Sequence, residues 1–207
     1  MLRFLKLGVN KNNMLLTIAI VLSSPCYSQA VYFKIKAGSN ISNIRSGGGS
    51  TRAGYRLGFH CGGLALVKLS SRVALQPEIS YSTQGRKYSS TFSNSTTILN
   101  YINLPVLFQL KLGTGFRLQA GPQIGFLIAA KVKRDGQVYD LDIKRSYRLV
   151  DIAYSGGLCY LNQSRIGVDV RWVRSLIPIT LGPHEQNNNV FQLGLFYDIS
   201  KGHNSKQ

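Results

Sequence analysis

Acidic residues are scarce. The 207-residue chain has eight Asp and Glu against 25 Lys and Arg, a net charge of +17. An excess of that size points to an anionic partner, either nucleic acid or an anionic membrane surface. Long apolar runs are missing as well. No stretch of the mature chain reaches the roughly 18 consecutive apolar residues of a spanning helix, which excludes helical membrane spans. Metal spacing, a phosphate loop and a nucleotide motif are all absent. GGG at 47–49 has neither the following Lys-Ser/Thr nor a helix, so it reads as a loop tip. No cofactor is expected. What the chain does have is 11 Tyr and 21 Gly beside a single Trp. Tyr and Gly together favour a β protein with many turns over a helical bundle.

The first residues stand apart. Arg3, Lys6 and Lys11 precede the apolar run MLLTIAIVL, and SSPCYSQA follows. This is the layout of a secretory signal peptide, expected over 1–28 with cleavage after Ser28. The apolar run is too short to span a bilayer as a helix. Cys26 leaves with the leader. Cys61 and Cys159 remain, and strand phasing puts them on opposite faces, so two free thiols are expected.

The rest, 29–200, reads as one domain. Period-two alternation marks eight segments, near 31–41, 54–67, 72–84, 97–112, 115–131, 147–161, 164–176 and 189–200. In the fifth, Phe116, Leu118, Ala120, Pro122, Ile124 and Phe126 form one face. Arg117, Gln119, Gly121, Gln123 and Gly125 form the other. In the fourth and eighth, Leu107 and Phe196 break an otherwise polar face. The connections alternate long and short, as in an up-and-down barrel. An even strand number puts both termini on one side. The last residues, 201–207, are expected to hang in the periplasm as a disordered tail.

The faces decide which barrel. A soluble barrel is apolar inside, and a membrane barrel inverts this. The polar faces are small and sparsely charged: glycines and serines with Lys34, Lys36, Arg56, His60, Glu78, Arg117, Asp151, Asp169, Arg171 and Asp198. A narrow eight-strand interior needs such residues. The other faces are large, aliphatic and aromatic, as a lipid-facing band would be. The expected fold is all-β, an eight-stranded up-and-down antiparallel transmembrane β-barrel. Glu78, Arg117, Asp151, Asp169, Arg171 and Asp198 are expected to pair inside it. Pro77, Pro105 and Pro122 fall at a similar depth in adjacent strands. They predict a shared belt of bulges or missing ladder bonds.

Five stretches carry a resemblance: KAGSNISNI at 36–44, LQPEISYSTQG at 75–85, YINLPVLFQL at 101–110, LQAGPQIGFLIAA at 118–130 and FQLGLFYDI at 191–199. Together they resemble the PorT-related outer-membrane β-barrel family of Bacteroidota. That resemblance implies a bacterial outer-membrane protein, exported and then inserted by the barrel-assembly machinery. Gln192, Gly194, Tyr197 and Ile199 are spaced like the assembly signal that machinery reads. A subset of the family takes part in type IX secretion, and the resemblance transfers no functional residue.

No nucleophile and base stand together. His203-Asn204-Ser205 lies beyond the last strand, His184-Glu185 lies in the last long loop, and His60 faces inward. The chain is not expected to be an enzyme. The basic excess is more informative. Arg86, Lys87, Lys131, Lys133, Arg134, Lys144, Arg145 and Arg148 fall in or beside long loops, where they would pair with lipopolysaccharide phosphate. Nucleic acid is disfavoured for a secreted barrel with no aromatic-basic groove. The expected role is structural, assembly or secretion-related, with secretion or envelope proteins as candidate partners. A narrow channel is the alternative, and a lipid-modifying enzyme the remoter one.

Overall fold

The computed structural model describes residues 31–46, 53–89, 94–134, 137–139, 143–161, 165–181 and 186–200. The expected leader and the 201–207 tail lie outside them. Eight long strands form: β1 (Val31–Ser46), β2 (Arg56–Lys68), β3 (Val73–Ser89), β4 (Asn94–Lys111), β5 (Phe116–Arg134), β6 (Val150–Leu161), β7 (Ile166–Ser175) and β8 (Gln186–Asp198). Each pairs antiparallel with its neighbours in sequence, and β1 pairs with β8. The sheet therefore closes on itself as an up-and-down barrel. Ala53–Gly54 pairs with the end of β3, Gln137–Tyr139 with the end of β5, and Ile143–Ser146 is a short 3-10 turn.

One row of paired residues can be followed round the wall: Val31, Val67, Leu75, Phe108, Ala120, Gly156, Trp172, Phe191 and back to β1 at Ile41. The row returns about ten residues higher than it began, which sets a strand tilt of roughly 40°. Each residue then climbs about 2.5 Å, and the row climbs about 3 Å per strand. This gives every residue a height on the wall.

That row is wholly apolar and faces outward. Phe33, Ile79, Phe108, Leu158 and Leu195 are each at least half exposed, whereas Glu78, Asp169, Arg171 and Gln119 are buried inside. The inversion expected of a membrane barrel is present. Aromatic pairs mark both edges of the band. Phe116 and Tyr160 meet at 4.8 Å near the short turns, and Tyr154 meets Trp172 edge-on at 5.5 Å toward the long connections.

The prolines do what their chemistry requires. In a regular register Ala65 would face Pro77, Glu78 would face Pro105, and Val106 would face Pro122. Pairing stops there in each case. It resumes from Leu64–Glu78 to Val67–Leu75, from Pro77–Val106 to Ser80–Asn103, and from Pro105–Gln123 to Phe108–Ala120. Both strands skip equally, so these are missing ladder bonds and not bulges. The recorded register shift lies higher, at Asn100/Tyr101, where Ile128 is extra. At Gly121 an added Cβ would meet the Val106 carbonyl at 2.1 Å, so only glycine lets the strands close up there.

The two cysteines point opposite ways, as phasing predicts. Both are free, Cys61 exposed on the wall and Cys159 buried inside. In vesicles, Cys61 is expected to react with an apolar maleimide and to resist a charged one. Equal labelling by both reagents would contradict a lipid-facing position.

Candidate functional site

The interior is layered. Near the short-turn end a charge network fills the lumen. Arg171 donates to both Glu78 oxygens at 2.9 and 2.8 Å, and its Nη2 lies 3.1 Å from Asp169. Lys36 reaches Asp169 at 2.9 Å and Glu78 at 4.0 Å. Gln119 donates to Asp169 at 3.0 Å, and Gln76 caps Glu78. Burying such charges costs much, and this geometry offsets the cost because each is paired and hydrogen-bonded. Below the network Lys34 faces Asp198 at 3.9 Å and lies over the Phe196 ring.

The expected network was only partly right. Glu78, Asp169 and Arg171 come together as expected, with Lys36 as the partner the expectation left out. Arg117 joins only through Gln109, at 3.4 Å. Asp198 pairs with Lys34 instead of an arginine. Asp151 does not belong. It lies about 14 Å higher on the wall, and its bond is to Ser175 Oγ at 2.9 Å. The strand phase gave its face correctly, but depth is fixed by register between distant strands.

Above the charges lies a neutral polar layer. His60 Nδ1 donates to Asn40 Oδ1 at 2.7 Å, and Asn40 Nδ2 donates to Ser82 at 2.9 Å. An added Cβ on Gly194 would meet Asp169 Oδ1 at 2.6 Å and His60 Nε2 at 3.0 Å. Gly194 thus makes room for the interior, while Gln192 is buried and Tyr197 and Ile199 face outward.

The outer mouth is stoppered. Ile44, Leu99, Tyr101, Leu127 and Ala130 line the wall, and Tyr147 and Ile179 drop onto them from two long connections. Those connections are tied together. Arg148 N–H donates to Ile179 O at 2.7 Å, Leu181 N–H donates to Ser146 O at 3.0 Å, and Tyr147 bridges Thr180. Sequence alternation had assigned 147–149 to a strand. Their apolar residues instead form the stopper and the outer rim. At the other end a cavity of about 10 Å³ beside Lys34, Arg117 and Cys159 has room for roughly one water.

The outer surface has a different character. All four acidic residues among the described ones, Glu78, Asp151, Asp169 and Asp198, are buried inside. The described exterior is therefore charged only by cations. β3, β4 and β5 rise beyond the apolar band as a tall wall. Lys87, Thr96 and Lys133 share one outward row on it, with Lys131 outward below and Arg134 exposed at the top. Arg145 and Arg148 are exposed on the β5–β6 connection, and Lys144 Nζ donates to Ile128 O at 3.3 Å. Arg86 departs from this set. It shares the inner face with Thr97, beside the buried Tyr147. Burial pushes the Tyr147 phenol up, against the pull of Arg86 and of its bond to Thr97. Sequence reasoning missed Arg174, an exposed cation on β7. Its signal was one charge among four apolar outward residues.

His184, Glu185 and His203 lie outside the described residues. Among the described residues no cluster of three His, Cys, Asp or Glu could hold a metal.

No curated protein matches the chain by sequence. Solved structures match its fold. Neisserial surface protein A (NspA) superposes with a TM-score of 0.56 at 13% identity, over 82% of this chain and 99% of that one. Ail, the attachment invasion locus protein of Yersinia pestis, superposes with a TM-score of 0.50 at 14% identity, over 81% and 97%. Both share the eight-stranded closed ring. The family model for the outer membrane protein beta-barrel domain matches residues 26–181, so the chain belongs to that family of bacterial outer-membrane barrels.

Proposed function

We propose that this is a filled, non-catalytic outer-membrane barrel that works through its outer surface, with the tall basic wall contacting lipopolysaccharide. The observation behind this reading is the segregation of charge: the described acids are inside, and the described exterior charges are cations. Lys87 and Lys133 stand roughly 15 Å above the apolar band, level with the charged sugars of an outer leaflet rather than its acyl chains. Flat arrays of Lys and Arg bind dense phosphate and carboxylate without a pocket. A structural, assembly or secretion-related role fits a barrel whose lumen is occupied. The PorT-related reading rests on the five sequence stretches quoted above.

The test is binding of the purified barrel to lipopolysaccharide. Lys87→Gln with Lys133→Gln is expected to weaken it several-fold and to flatten its salt dependence. Unchanged affinity and salt slope would refute the basic-wall reading. The narrow-channel alternative predicts open steps in a planar bilayer. With the lumen filled by Arg171, Glu78 and Lys36 and the mouth closed by Tyr147 and Ile179, no steady conductance is expected.

A further inference from the structure

Arg174 is the lowest-lying charged side chain on the outward face of the described strands, one outward step above the Trp172 edge. It has no ion-pair or hydrogen-bond partner among the described residues. In the ladder it lies between Tyr154 of β6 and Asn189 of β8. Trp172 is the next outward residue below it, and Trp172 Nε1 donates to Asn189 Oδ1. That bond leaves the Asn189 amide N–H groups as donors. The Tyr154 hydroxyl is a third kind of donor. Three donor-bearing side chains thus stand side by side on adjacent strands, and the Arg174 guanidinium has no acceptor among the described residues.

Height decides what comes to meet them. On the wall scale Arg174 lies about 24 Å above Val31, at the outer edge of an apolar band about 25 Å tall. An arginine there snorkels toward the headgroups, and Trp and Tyr hold that level. The anion available at that depth is a lipid phosphate, and the guanidinium fork fits it bidentately.

We propose that Arg174, Tyr154 and Asn189 form a lipid-phosphate site on the low side of the barrel, holding the phosphate of one phosphorylated outer-leaflet lipid. This rests on the outer-membrane reading above but not on the basic wall, which is on other strands and higher.

The chain has a single tryptophan, so its emission comes from Trp172 alone. The experiment adds purified lipopolysaccharide, intact or enzymatically dephosphorylated, to the full-length barrel in neutral detergent. Trp172 emission and retained lipid, by native mass spectrometry, are then followed. Wild type is expected to shift its emission and to keep one intact lipid, and to do neither with the dephosphorylated form. Arg174→Gln is expected to weaken binding about tenfold, and Arg174→Lys less, with the folded gel mobility of both unchanged. Lys87→Gln/Lys133→Gln is expected to bind lipopolysaccharide more weakly overall and still to give the full Trp172 shift at saturation. Equal retention by Arg174→Gln, or equal retention of dephosphorylated lipid, overturns the site. Loss of the Trp172 response only in the Lys87/Lys133 variant overturns the site but spares the basic wall. No binding by any form overturns both.

Discussion

Arg171→Ala is expected to destabilise the folded barrel by about 3–5 kcal/mol, because it removes the counter-ion nearest Glu78 and one of the two beside Asp169. Arg171 is fully buried and makes both of the short ion-pair contacts to Glu78. Lys36 alone would then face Glu78 and Asp169, and it lies 4.0 Å from the former. Urea unfolding in vesicles, read by the shift in gel mobility between folded and unfolded forms, measures the loss. The companion variant separates charge from packing. Arg171→Met with Glu78→Gln keeps the volume and removes one charge of each sign, and it is expected to recover more than half of the lost stability. If Arg171→Ala unfolds at the wild-type midpoint, the network does not hold the lumen together.

The logic of that network was half legible in the sequence. Period two put Glu78, Asp169 and Arg171 on one face, and small residues on the same face identified it as the inside. Which charges meet depends on strand stagger. Going round the ring lifts the register by about ten residues. No local pattern encodes that, so Asp151 was grouped with charges that lie well below it. Strand ends show a related limit. The apolar outward signal covers only what lipid covers. β3 was expected to stop at 84 and runs to Ser89, and β5 was expected to stop at 131 and runs to Arg134. There the ladder continues in water, with Lys87 and Lys133 in place of Leu and Phe. The opposite error arose at 147–149, where apolar residues belong to the stopper and rim.

Leu107 and Phe196, the two interruptions of the polar faces, have a common explanation. Both are buried, at 0% and 7% exposure. Each lies across from a glycine. Phe196 pairs with Gly167, and Leu107 lies at the level of Gly121, where pairing is interrupted. A narrow lumen admits a large side chain where the facing strand has none. At Gly167 this is explicit: an added Cβ would lie 2.1 Å from Phe196 Cζ and 2.4 Å from Cε2. Gly167→Ala is therefore expected to cost about 1–3 kcal/mol through overpacking. Phe196→Leu alone should also destabilise, by opening a gap beside Lys34. Together the two changes restore a volume match, so the double variant is expected to be more stable than the single costs predict, by about 1–3 kcal/mol. Gly38→Ala provides the contrast. Its Cβ would strike the Leu193 carbonyl at 2.1 Å, an atom of the backbone that no side-chain substitution can move aside. It should resist rescue by a trimmed neighbour such as His60→Ser. Additive costs for Gly167 and Phe196 would mean that the ring turns away freely, and that the glycine serves the strand and not the ring.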